Sequence, residues 1–194
     1  MNIYLIRHTS VLVEGGTCYG RSDVPLTDRF PREAERVKAT LLNHTGKGQY
    51  EKLRFISSPL SRCVKLTEYL SSSPVKQDSR LLEYHFGQWE MQKWDAIPPR
   101  DFTEWMKDYL NIPCPGGESY HRFYRRCGDF LEELVSQSEN QLAIVTHGGV
   151  IRAILAHVLK IPLQNVFSLR IDLGSLTQLS FKDSLYQVHF VNRL

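Results

Sequence analysis

Strand-like and helix-like segments alternate along this chain, which predicts an α/β fold: a three-layer αβα arrangement around a mostly parallel central sheet. Three observations carry that expectation. Short apolar, β-branched runs at 2–7, 53–57 and 142–146 are each followed by a stretch with helical spacing. Further strand candidates at 166–171, 176–181 and 185–191 close the chain, and the last two flank the turn-like Lys182-Asp183-Ser184, which predicts a hairpin and an antiparallel edge. Residues 84–117, rich in Trp, Tyr and Pro, fit neither period and read as a lid-like excursion off the sheet.

The first strand candidate contains Ile3-Tyr4-Leu5-Ile6, a continuous apolar run of the kind buried on both faces of a parallel sheet. Helix candidates follow at 31–43, 60–72, 99–110, 118–138 and 149–159. The 118–138 helix has the clearest start. Gly116-Gly117 breaks the chain, and apolar residues then recur at Phe123, Cys127, Phe130, Leu131 and Leu134. Glu118, beside Ser119 at that start, suits a capping role.

A chain of 194 residues fits one domain, 1–194, with one continuous core. Lys and Arg number 24 against 21 Asp and Glu, and a net charge of +3 without a dense basic run points to neither nucleic acid nor a membrane surface. No charged n-region precedes an apolar stretch at the N-terminus, and no window approaches the roughly 20 apolar residues of a membrane span. Cys18, Cys63, Cys114 and Cys127 are widely spaced without a C-x-x-C, so four reduced thiols in a cytoplasmic protein are expected rather than zinc or a disulfide framework. Oligomeric state is not encoded in any visible pattern.

Four segments carry chemistry. Arg7-His8 ends the first strand, where open α/β sheets place ligands. A neutral imidazole beside a fixed cation suits attack on phosphorus, because the cation holds the oxygens while the ring supplies the lone pair. The ring's other nitrogen should donate to a carbonyl so that the tautomer is fixed. Ile56-Ser57-Ser58-Pro59-Leu60-Ser61-Arg62 leads from a strand through a turn, placing Arg62 in the first turn of a helix, where N–H groups favour an anion. Ala143-Ile144-Val145-Thr146-His147-Gly148-Gly149-Val150 repeats the logic of strand, polar residue and helix start. Leu81-Leu82-Glu83-Tyr84-His85-Phe86-Gly87-Gln88-Trp89 offers a carboxyl among apolar and aromatic residues, suited to a proton donor.

His8 is therefore the expected nucleophile and Glu83 the expected acid and base, with Glu90 a rival in the same stretch. Arg7, Arg62 and His147, the last as an imidazolium, should surround the three equatorial oxygens of a transferring phosphoryl group together with the Gly148 N–H. Two guanidiniums, an imidazolium and helix N–H groups carry the charge that a metal often supplies, so neither a metal nor another cofactor is expected. Thr9, Ser10, Tyr19 and Gly20 are candidates for phosphate or substrate contacts, and His85 for lining the site. Trp89, Trp94, Trp105, Tyr84 and Tyr109 are candidates either for stacking on an aromatic leaving group or for packing the lid. His157 and His189 lack such surroundings and read as structural or exposed.

With these four segments in order, nearly the whole chain resembles the histidine phosphatase superfamily, which includes cofactor-dependent phosphoglycerate mutases and acid phosphatases. It is most similar to the α-ribazole phosphatase branch, on Cys18-Tyr19-Gly20-Arg21-Ser22-Asp23-Val24-Pro25-Leu26, Ser58-Pro59-Leu60-Ser61-Arg62-Cys63, Glu83-Tyr84-His85-Phe86-Gly87-Gln88-Trp89-Glu90 and Pro115-Gly116-Gly117-Glu118-Ser119. Two positions depart from the superfamily pattern. Thr9 stands where a glycine usual in Arg-His-Gly would be, and Leu26-Thr27-Asp28-Arg29-Phe30-Pro31 replaces Leu-Thr-x-x-Gly, which leaves the start of the first helix open.

The resemblance implies a metal-independent phosphatase working through phosphohistidine on a small phosphate monoester. Its branch implies α-ribazole 5′-phosphate, released as α-ribazole and phosphate in cobalamin biosynthesis. The alternatives are a broad-specificity phosphomonoesterase, a phosphoglycerate mutase, or a phosphate-binding module without turnover.

Overall fold

The structure, a computed structural model, describes residues 1–137 and 141–194. Residue 138, the expected end of the fourth helix candidate, lies outside them. Strand β1 (Asn2–Arg7) leads through a long loop to α1 (Phe30–Thr45), the short α2 (Lys47–Tyr50), β2 (Arg54–Ser57) and α3 (Ser61–Leu70). The two-residue β3 (Lys76–Gln77) and a 3₁₀ turn at Ser79–Leu81 precede the excursion, which holds two further 3₁₀ turns and α4 (Pro99–Lys107). Then come α5 (Tyr120–Ser136), β4 (Gln141–Thr146), α6 (Gly148–Leu159), β5 (Leu176–Lys182) and β6 (Leu185–Arg193).

The six strands form one sheet in the order β3-β2-β4-β1-β5-β6. The first four are parallel, β5 runs antiparallel to β1, and β6 antiparallel to β5. Asp183 and Ser184 both take positive φ (51° and 61°), the backbone of the tight hairpin turn that joins the last two strands.

Alternation along the central strands divides the core into two layers. Ile3, Leu5, Ile56, Leu142 and Ile144 face α5 and α6, against Phe123, Leu131 and Ile151. Tyr4, Ile6, Phe55, Ala143 and Val145 face the other way, against Val37 and Leu41 of α1 and Leu66 of α3. Pro31 sits in the first turn of α1, where its missing N–H costs nothing, so the departure at 26–31 starts the helix rather than delaying it. Ser119 caps α5 by accepting the Arg122 N–H, and Tyr120, Phe123, Cys127, Leu131 and Leu134 then recur on the buried stripe.

One expected strand is absent. Residues 163–168 form 3₁₀ turns instead of the start of a strand at 166–171. The edge of β1 that such a strand would need is taken by β5, so its apolar residues bury individually, as Val166 does. Residues 169 and 171 instead offer carbonyls to the guanidiniums of Arg152 and Arg7. The 99–110 helix stops at Lys107, and the excursion packs closely: Trp89, Ile97, Trp105 and Leu110 are buried with the α5–α6 layer. No helix among the described residues is long and apolar enough to cross a membrane.

Candidate active site

The strand order β2-β4-β1 sets three C-terminal ends side by side, and the residue after each ladder stays tied to its neighbour. The His8 N–H donates to the Thr146 carbonyl at 3.0 Å and the Ser58 N–H to the Val145 carbonyl at 2.9 Å. His8, His147, Ser58 and Arg62 thereby meet at the crevice end of the parallel sheet. The Thr146 hydroxyl reaches the Leu81 carbonyl at 2.9 Å and draws the segment that carries Glu83 over the same end.

His8 is buried, and its Nδ1 lies 2.7 Å from the Thr9 carbonyl. A carbonyl only accepts, so Nδ1 carries the proton and Nε2 keeps its lone pair. Burial lowers the His8 pKa well below the ordinary histidine value, and Arg62 and Arg7 push the same way against the opposing Thr9 bond. The ring is neutral at pH 7. Thr9 is not among the residues with positive φ, so its backbone is ordinary and a β-branched residue is tolerated where a glycine is usual.

The rings of His8 and His147 meet edge to face at 5.2 Å, and His147 Nε2 lies 2.8 Å from the Ser58 hydroxyl. Burial, followed by His8, Arg62 and Arg7, holds the His147 pKa well below the usual value too. Burial and these neighbours thus disfavour the imidazolium expected above, and the neutral ring can act through N–H donation.

Arg62 is fully buried, a costly place for a charge unless its donors are met. Its Nη1 and Nη2 donate to the Ser22 and Gly20 carbonyls at 2.8 and 2.7 Å, and Tyr19 lies under the guanidinium at 5.3 Å. Arg7 donates from Nη1 to the Ile171 carbonyl at 2.5 Å. The Nε atoms of both arginines and the Thr9 hydroxyl are buried with no hydrogen-bond partner among the described residues. Three unmet polar atoms around a neutral imidazole are suited to an anion's oxygens.

Glu83 meets the start of α6. Its Oε2 accepts the Gly149 N–H at 3.0 Å and its Oε1 the Tyr84 N–H at 2.9 Å, so its flanks are apolar but its oxygens face donors. Glu90 is tied elsewhere, accepting from the Arg21 and Phe86 N–H groups and the Ser22 hydroxyl. It braces the 18–22 loop with both of its oxygens.

Ser10, His85, Trp89 and Glu118 are placed differently from what was expected, whereas His157 and His189 are structural or exposed as expected. The Ser10 hydroxyl and N–H both donate to Glu33 at 2.8 Å, away from the histidines. His85 borders a separate surface cleft with Arg21, Glu118, Arg122 and Arg125. Trp89 is buried against the Phe102 and Trp105 rings and lines no part of the cavity described next. Glu118 does not cap α5, because Ser119 does; it accepts instead from Arg21, Arg126 and the His85 N–H. His157 pairs with Glu132, and His189 with the Ser180 hydroxyl.

A cavity of about 200 Å³ opens beside Glu83, Gly149, Tyr19 and Gly20. Its walls are largely aromatic, with Tyr84, Trp94, Trp105 and Tyr109 among them, and Arg152 is its one lining cation among the described residues. It shares Phe86, Trp94, Trp105, Tyr109 and Phe167 with an outer apolar groove that continues past Phe102 and Met106. Sequence reasoning missed Arg152, Ser58 and Gly149. Arg152 follows Gly149 by three residues, one helical turn, which was the available signal.

A parallel sheet that presents two buried histidines, the buried Arg62 and the half-buried Arg7 at its carboxyl end defines the class of the protein. The chain belongs to the histidine phosphatase superfamily (branch 1), whose profile matches residues 3–193. The family's name marks it as one of phosphatases, hydrolases of phosphate esters. The chain is 29% identical to the adenosylcobalamin/α-ribazole phosphatase of Salmonella typhimurium, covering 90% of this chain and 87% of that one. It is 28% identical, over 99% of its length and 95% of the other, to a Hydrogenobacter thermophilus protein whose name marks it provisionally as phosphoserine phosphatase 2. The crystal structure of the Shigella flexneri α-ribazole phosphatase superposes with a TM-score of 0.86 at 25% identity, covering 99% of this chain and 96% of that one.

Proposed function

We propose that the protein hydrolyses α-ribazole 5′-phosphate to α-ribazole and phosphate through a phosphohistidine at His8. The observation that carries this reading is the locked tautomer. Nδ1–H is held by the Thr9 carbonyl, leaving the Nε2 lone pair free on a ring whose pKa Arg62 and Arg7 both lower, and each of those arginines keeps an unmet Nε donor.

The steps follow from that placement. Arg7, Arg62, His147 and the N–H groups that open α6 at Gly148 hold the phosphoryl oxygens while Nε2 bonds to phosphorus. As the ester P–O bond breaks, Glu83 gives its proton to the leaving oxygen. A water then attacks the phosphohistidine and passes a proton to Glu83, the P–N bond breaks, and inorganic phosphate leaves. Tyr19 and Gly20 stand where the cavity meets this cluster.

The aromatic lining supports a planar aromatic leaving group such as the benzimidazole of α-ribazole, and likeness to the Salmonella relative supports the same choice. Arg152 in the wall favours a second reading, an ester whose leaving group carries a carboxylate, such as phosphoserine or a phosphoglycerate. A hydrolysis panel decides between them: α-ribazole 5′-phosphate, phosphoserine, 3-phosphoglycerate and glycerol 2-phosphate under one set of conditions. The proposal expects the highest kcat/KM on the ribazole ester. A clear preference for phosphoserine or phosphoglycerate establishes the second reading, and a flat profile means a broad phosphomonoesterase.

A further inference from the structure

Behind Glu83, on the side away from the cavity, lies a cluster of charged side chains that the chemistry above does not use. The Glu83 carbonyl accepts from two guanidiniums, Arg126 Nη2 at 2.9 Å and Arg21 Nε at 3.1 Å. Arg126 also holds the Arg80 and Leu82 carbonyls through Nη1, at 2.6 and 2.7 Å. Both arginines converge on Glu118, which is 7% exposed. Its Oε1 takes Arg126 Nη2 at 2.8 Å, Arg21 Nη2 at 2.9 Å and the His85 N–H at 2.9 Å.

The Leu82 and Glu83 carbonyls therefore hang from the two arginines and the His85 N–H from the carboxylate that joins them, while between them the Tyr84 hydroxyl donates to the Glu118 backbone carbonyl. The same Arg21 sits in the loop whose Gly20 and Ser22 carbonyls hold Arg62.

We propose that Glu118, Arg21 and Arg126 are positioning residues that fix the backbone at Glu83 so that its carboxyl reaches the leaving oxygen, and that they link this placement to the loop holding Arg62. The proposal rests on the reading of Glu83 as the proton donor. A misplacement of the order of 1 Å is enough to cost a general acid about a hundredfold, and a backbone carbonyl with two cationic donors resists such movement. Burial alone works to raise the Glu118 pKa, but the Arg126 and Arg21 partners and the His85 N–H outweigh it and hold it low, so the carboxylate stays charged.

The test is a double-mutant cycle between Glu118→Gln and Glu83→Gln, read as single-turnover release of the alcohol. Two probes are compared: an alkyl ester that the wild type turns over, either α-ribazole 5′-phosphate or glycerol 2-phosphate, and p-nitrophenyl phosphate. The nitrophenolate leaves without a proton, so an effect acting through Glu83 is confined to the alkyl ester. Glu118→Gln is expected to slow alkyl release by ten- to a hundredfold and aryl release severalfold at most. In the Glu83→Gln background it should slow alkyl release no further. Arg126→Lys, which keeps the charge and one donor, should give an intermediate loss and guards against a Glu118 variant that fails to fold.

Equal losses on both esters, or additive losses in the double variant, overturn the positioning role while leaving Glu83 as the acid. Equal losses on both esters from Glu83→Gln alone overturn the reading of Glu83, and the positioning proposal with it.

Discussion

Glu83 and Gly149 are in contact that only glycine permits. The Gly149 N–H donates to Glu83 Oε2 at 3.0 Å, and a Cβ at position 149 would lie 2.2 Å from Oε1. The first turn of α6 thus both holds the carboxylate and leaves room for it. Gly149→Ala should therefore displace Glu83 while the helix itself, which alanine favours, stays intact. A fall in kcat on alkyl esters of ten- to a hundredfold is expected, with an unchanged or slightly raised Tm. Wild-type kcat in this variant would show that the contact is incidental.

The depressed pKa values of His8 and His147 make a pH prediction with a definite sign. Both rings stay neutral in the folded protein as pH falls through about 6.5, whereas in the unfolded chain they take up protons there. The unfolded state then binds more protons, so stability present above pH 6.5 is lost below it, by about 1 kcal/mol per histidine for each pH unit. Urea unfolding at pH 7.5 and 5.5 measures this. Wild type should lose more stability between those values than a variant with both histidines replaced by alanine, and equal losses would mean the rings are not held neutral.

Positive charge at the site is supplied by Arg7 and Arg62, whose unmet Nε donors are already in place. Turnover should persist in excess chelator, and vanadate, which can take up a trigonal-bipyramidal form, should inhibit well below the substrate's KM. Loss of activity in chelator, restored by one added metal, would contradict the assignment of that charge to the arginines.

Trp94 and Trp89 should part company on mutation. Trp94 lines the cavity, so Trp94→Ala is expected to cut kcat/KM on the ribazole ester by about ten- to a hundredfold relative to glycerol 2-phosphate, the worth of one base–aromatic stack. Trp89 is 3% exposed and packs against Phe102 and Trp105, so Trp89→Ala should cost about 3–5 kcal/mol of stability and leave substrate preference alone. A preference change in the Trp89 variant without loss of stability would reverse the two roles.

The elements with long, strongly patterned runs were legible in the sequence. Ile3 to Ile6 and Ala143 to Val145 are apolar on both faces because parallel strands are covered twice, and the residues that follow them, His8 and His147, come together at one sheet end. β3 has two residues, too few to show any period. The 166–171 run has strand composition, but its fate was set by β5 occupying the β1 edge, which no local signal reveals. Trp89 sits in a motif with Glu83, yet adjacency in sequence did not bring its ring to the cavity: a turn at 87–89 sends it into the core. Glu118 reads as a cap from its neighbours, while its actual partners, Arg21 and Arg126, lie 97 and 8 residues away. Long-range pairings of charged residues leave no periodic trace in a sequence.

The phosphohistidine at His8 is the centre of the account, and trapping it is the most direct measurement. Wild-type protein mixed briefly with substrate and quenched should carry phosphate that is labile in acid and stable in base, on the peptide that contains His8. His8→Ala should carry none and turn over no substrate, while keeping the fold. Phosphate trapped on another residue, or full turnover in the His8→Ala protein, would contradict the account.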